Sequence, residues 1–100
     1  MTKVSLFVEL KAKPGKEEAV AQFLAGALPL VDAEPATVTW YAIRFDARTF
    51  GIFDSFPDEA GRHAHLQGRV AEALMAHAPD LLDGAPVIRT ADILAEKLSG

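Results

Sequence analysis

Residues Thr37 to Phe56, TVTWYAIRFDARTFGIFDSF, decide the fold. Thr37 to Asp46 is dense in β-branched and aromatic residues, the types that suit a pleated, half-buried surface, and reads as a strand. Ala47-Arg48 is a short connection, and Thr49 to Phe56 is a second run of the same kind. Two strands joined so closely pair as an antiparallel hairpin, although the connection lacks the Asn-Gly or Asp-Gly of the commonest tight turns. Upstream, Lys3 to Lys13 alternates, with Val4, Leu6, Val8 and Leu10 on one face and Ser5, Phe7, Glu9 and Lys11 on the other. Pro14-Gly15 ends that strand. A helix follows, with Glu17 and Glu18 in its first turn, where the macrodipole favours anions, and Ala19, Val20, Phe23, Leu24, Ala27 and Leu28 at helical spacing. Pro29 and Pro35 mark a loop.

Downstream of the hairpin, Pro57-Asp58 opens a second helix that runs to about Ala76, with Ser55 or Asp58 as its cap and Leu66, Val70, Ala73 and Leu74 as its apolar stripe. Pro79 breaks it, Asp80 to Asp83 forms one further turn, and Val87 to Leu94 is a last strand. The order is β-α-β-β-α-β, the split βαβ arrangement. The expected fold is α+β and ferredoxin-like: a four-stranded antiparallel sheet with helices on one face, in a single domain over residues 1–100.

Composition narrows the function. The chain has 100 residues, no Cys and a net charge of −4. Without Cys there is no thiolate nucleophile, disulfide framework or zinc finger. The absence of Cys and of a signal peptide points to the cytoplasm. Scattered basic residues and an acidic balance argue against nucleic acid. No apolar run reaches the length of a membrane span.

The strand faces carry a further expectation. A monomer of this fold leaves one sheet face in water, and that face should be polar. Here Val38, Trp40 and Ala42 alternate with Tyr41, Ile43 and Phe45, Phe53 opposes Phe50, Ile52 and Phe56, and Phe7 opposes its own core stripe. Apolar groups on both faces predict a homodimer through the sheet.

Glycine-rich phosphate loops, a nucleophile elbow and metal-ligand spacings are all missing from the sequence. His63 and His65 are two positions apart, about 200° around a helix, and so cannot share a metal; none is expected. Either could act as a general acid or base near neutrality. Trp40 could wall a pocket for a flat ligand, Arg44 could hold an anion, and Asp54, inside an apolar strand, could be a buried acid.

The stretch from Phe53 through Asp54, Ser55, Phe56, Pro57, Asp58, Glu59 and Ala60 to Ala64-His65-Leu66 resembles the third strand and second helix of the antibiotic biosynthesis monooxygenase superfamily. The opening strand followed by Lys13-Pro14-Gly15-Lys16 and a helix is similar too, as is the run from Val87-Ile88 to Ala95-Glu96-Lys97-Leu98. The resemblance implies a dimeric α+β barrel with one pocket per subunit between sheet and helices. It implies cofactor-independent oxygenation of a quinol or phenol by molecular oxygen, and it places His65 at the family's helix histidine. The helical wheel favours His63 instead. The haem-degrading branch relies on an Asn, and this chain has none. On this reading His65 or His63 takes the phenolic proton, Trp40, Tyr41, Phe7 and Phe53 form a dry aromatic pocket together with Asp54, and Arg44 stabilises the developing oxyanion. No metal or flavin takes part. The rival is a non-catalytic dimer that binds a small aromatic ligand or a partner protein.

Overall fold

The computed structural model describes residues 1–98. Its elements are β1 (Val4–Lys11), α1 (Glu17–Gly26), α2 (Leu28–Asp32), β2 (Thr39–Arg44), β3 (Thr49–Phe56), α3 (Glu59–Leu66), α4 (Arg69–Leu81) and β4 (Val87–Asp92). The four strands form one sheet in the order β2-β3-β1-β4, antiparallel throughout, so the fold is the expected α+β, ferredoxin-like one.

Register decides which side chains meet. Leu6 pairs with Asp54, and Asp54 with Trp40, so these three lie in one row across the sheet. Because side chains alternate along a strand, the row shares its face with Val8, Leu10, Phe50, Ile52 and Phe56. The helices cover this face; Leu10, Phe50 and Ile52 cluster there with Val20, Leu24 and Leu74, and Leu6, Phe56 and Val70 are buried as well. The strip β4 contributes is left bare, and all six of its residues are exposed. No helix among the described residues is long and apolar enough to cross a membrane.

Several boundaries differ from the sequence reading. The first helix divides: Pro29 does not mark a loop but sits in the first turn of α2, where a missing N–H leaves no bond unmade. The second helix divides at Gln67-Gly68 into α3 and α4. Gly68 has extended backbone, and a Cβ there would stand 3.2 Å from the His65 carbonyl and 3.3 Å from that of Ala64, so only glycine fits the junction easily. Pro79 does not break α4, which runs on to Leu81; Leu82 N–H still donates to Ala78 O at 2.9 Å, and Lys13 Nζ donates to the Pro79 carbonyl. Of the two candidate caps, Asp58 is the one used, its Oδ1 accepting from Gly61 N–H at 2.8 Å.

Candidate active site

His65 lies on the inward side of α3, with 7% of its surface exposed. Two devices hold that helix in place. Asp58 caps its start, and Arg62, one turn before His65, donates from Nη1 to the Ser5 carbonyl at 3.1 Å, tying α3 to β1. The imidazole then lies against the Phe56 ring, centroids 5.4 Å apart. Its Nδ1 is 2.6 Å from Glu34 Oε1, in the loop between α2 and β2, and its Nε2 is 3.0 Å from Asp54 Oδ2 on β3. Thr37 Oγ1 donates to the same Glu34 oxygen at 2.8 Å.

Asp54 is 1% exposed. Its contact with His65 is close enough for an ion pair, but neither carboxylate oxygen accepts a well-aligned hydrogen bond. Glu34 Oε2 and the neighbouring Trp40 Nε1 are also buried without a partner. Unpaired polar atoms in a low-dielectric interior are costly, so their gathering around one histidine sets this region apart from the rest of the core. Burial disfavours a charged imidazole, yet the close contacts with Asp54 and Glu34 and their negative charges outweigh it, and the His65 pKa is raised above its ordinary 6.5. The arrangement is a carboxylate–imidazole–carboxylate unit that favours the protonated ring.

Beside it opens a cleft of about 530 Å³, within the range of small-molecule sites. Glu34, Thr37, His65 and Arg69 supply its polar groups, and Leu30, Pro35 and several alanines supply its apolar wall. Gly61 lets the 33–37 loop close on α3, since a Cβ there would lie 3.2 Å from Ala36 Cβ. A Cβ on Gly68 would lie 2.9 Å from Glu34 Oε2, so that glycine leaves the space the carboxylate occupies.

The structure separates residues that the sequence reading had grouped. His63 is exposed and His65 is buried, the reverse of the helical wheel. The wheel assumed one continuous helix; the break at Gly68 rotates α3 relative to α4 and leaves Leu66 36% exposed, outside the Val70–Leu74 stripe. Trp40, Tyr41, Phe7 and Phe53 do not form one pocket. Trp40 faces the helices and packs on the Ala27, Val31 and Val70 cluster, whereas Phe7, Tyr41 and Phe53 lie on the opposite, helix-free face. Arg44 is four residues along β2 from Trp40, roughly 13 Å away. There it pairs with Glu18 at 2.9 Å and lies over the Phe50 ring, away from His65. Asp54 does reach the site, against His65 rather than an arginine. Among the described residues no group of three or more acidic, His or Cys side chains could hold a metal.

Glu34 and Thr37 were not singled out from sequence. Glu34 precedes Pro35 in a loop with no periodicity, and a lone acid there reads as an ordinary solvated side chain. Pro35 beside it marked the loop and nothing more.

Fold and site together define a small α+β protein with a buried acid–histidine–acid unit beside a half-open cleft. The chain belongs to one family with a protein of unknown function from Nitrosomonas europaea, at 56% identity over 100% of this chain and 97% of that one, with a TM-score of 0.98. The same fold recurs in a "putative antibiotic biosynthesis monooxygenase" from Caulobacter crescentus, at 18% identity over 94% and 92% of the two chains and a TM-score of 0.80. It recurs again in one so described from Nitrosomonas europaea, at 14% identity over 92% and 99% and a TM-score of 0.82. At those identities the likeness is one of fold. No family model and no curated protein matches the chain.

Proposed function

We propose that the chain is a cytoplasmic, cofactor-independent monooxygenase acting on a small phenol or quinol with molecular oxygen. The observation that carries this reading is the buried Glu34–His65–Asp54 unit in and behind the wall of an apolar cleft large enough for an aromatic ring. The shared fold with proteins described as antibiotic biosynthesis monooxygenases supports it. Deprotonation is the step the protein supplies: a phenolate gives an electron to oxygen far more readily than a phenol. With a hydroquinone the balance closes as quinol plus O2 giving hydroxyquinone plus water. The ring loses four electrons, one oxygen atom enters a C–O bond, and the other leaves as water. The substrate is the reductant throughout.

Oxygen uptake tests this. Protein freed of metal and flavin, given a panel of hydroquinones and polycyclic phenols, consumes oxygen saturably above autoxidation, and His65→Gln lowers the rate at least about 100-fold. Uptake equal to autoxidation across the panel rejects the oxygenase. It would favour the second reading, a ligand-binding module, which one feature supports: both ring nitrogens of His65 are already engaged.

The enzyme is proposed to work as a homodimer through its helix-free sheet face. That face carries Tyr41, 58% exposed, Ile43, 40%, and Phe45, 57%, beside half-buried Phe7 and Phe53. Phe7 and Phe45 meet edge to face at 6.4 Å over Gly51, whose missing Cβ would lie 3.0 Å from the Phe45 ring. Sedimentation equilibrium is expected to give twice the 10.7 kDa chain mass, and Tyr41→Lys with Phe45→Lys to return it to one. A wild-type monomer at all concentrations would end this proposal.

A further inference from the structure

We infer that Glu34, and not His65, is the group that takes the substrate's phenolic proton, and that Asp54 is a positioning residue that holds His65 in place beneath it. This deepens the reading of the cleft as a phenol site and rests on it. A base needs a free lone pair facing its substrate, and neither nitrogen of His65 offers one: Nδ1 is bonded to Glu34 at 2.6 Å, and Nε2 lies 3.0 Å from Oδ2 of Asp54, a residue that does not line the cleft. Glu34 lines the cleft, its side chain is 18% exposed, and one of its two bonded donors is the Thr37 hydroxyl, which also lines the cleft. A phenol hydroxyl entering there replaces the threonine's with a donor of the same kind. The O–H bond then breaks, the proton passes to the Glu34 carboxylate, and the electron pair stays on the phenol oxygen.

Asp54 does not line the cleft, so it acts through His65 alone. Its place in the middle of β3, paired across to Leu6 and Trp40, fixes it more firmly than a loop could. The charged groups around His65 are few. From β3 comes Asp54 and from the 33–37 loop Glu34; α4 contributes Arg69 at the cleft wall. On α3 itself, Arg62 is turned to the Ser5 carbonyl and His63 to solvent. β1 offers only apolar side chains, Val4, Leu6, Val8 and Leu10, on this face. Removing the Asp54 charge therefore removes one of the two anions that hold the imidazolium.

The probe is 4-nitrophenol, whose phenolate is coloured, titrated free and bound. Bound to the wild type it ionises about one pH unit higher than in solution, because the Glu34 carboxylate accepts from its hydroxyl and repels the phenolate, a tenfold change in the ionisation ratio. Glu34→Gln abolishes that shift while the ligand still binds. In parallel, nitrogen-15 NMR of the wild type shows both ring nitrogens of His65 protonated at neutral pH, and Asp54→Asn moves the His65 titration down by about one unit or more. Asp54→Glu, which keeps the charge, restores it. A bare ring nitrogen on wild-type His65 at neutral pH overturns the inference and needs no variant. So does an unshifted bound phenol, a shift that survives Glu34→Gln, or no saturable binding. The two readings fail separately. A Glu34-dependent shift of the bound phenol without oxygen uptake rejects the oxygenase alone, and oxygen uptake that survives Glu34→Gln rejects Glu34 as the base.

Discussion

His65→Ala is expected to lower folding stability by about 3–5 kcal/mol near pH 6, the loss seen when one partner is taken from a buried charge pair. The size follows from what stays behind. Asp54 is 1% exposed and accepts no aligned hydrogen bond, so without the imidazolium its carboxylate is a buried charge with no counterion, and Glu34 loses its Nδ1 donor. The loss has a definite pH dependence. The His65 pKa is raised above 6.5 in the folded protein, so the folded state binds more protons than the unfolded chain between 6.5 and the folded value. The stabilising contribution is fully present below 6.5 and is lost as pH rises through the folded pKa. Urea denaturation of wild type and variant across this range should show a difference that is greatest near and below pH 6.5 and shrinks above it. A difference that grows with pH would mean that His65 is held neutral.

Phe56→Ala is expected to lower stability by a similar amount, about 3–5 kcal/mol, for a different reason. Phe56 is 0% exposed, and its ring fills the space between β3 and His65. Truncation removes its transfer free energy and leaves a cavity that the sheet cannot collapse to fill. For a domain of this size each kcal/mol moves the melting temperature by about 4–8 °C, so both variants melt far below the wild type. Their pH profiles tell them apart. The Phe56→Ala loss removes no titrating group, so its difference from wild type stays nearly level from pH 6 to pH 8 while that of His65→Ala falls. A Phe56→Ala loss below about 1 kcal/mol would show that the ring is not a core element.

The parts of this molecule that were legible in its sequence are those that repeat. Alternation in Val4–Leu10 and Thr49–Phe56 marked the buried strand faces, and Val70 and Leu74 marked the buried side of α4. What escaped has no period. A single Gly68 within a helical pattern lowers helix propensity by only about 1 kcal/mol, too little to announce a break. Yet that break decided which histidine turned inward. The alternation of Trp40 and Tyr41 already assigned them to opposite faces; placing them in one pocket went against it. Glu34 is close to His65 only through tertiary structure, because 31 positions separate them and nothing in either segment refers to the other. Asp54 was visible as an acid out of place in an apolar strand, though not its partner.

The sheet order has a consequence for how the chain is made. β1 is the first strand to be synthesised, yet Val4 pairs with Phe56 on one side and with Asp92 on the other. The strand with a nearby partner is β2, which closes on β3 across residues 45–48. The hairpin is therefore the local seed, and β1 joins it only after a long loop has closed, which makes the chain slower to fold than a helical bundle of the same size. Until then Val4, Leu6, Val8 and Leu10 travel on a nascent strand with two open edges, and one edge stays open until β4 emerges. A ribosome stalled before Val87 would hold a chain whose first strand is still seeking its last neighbour.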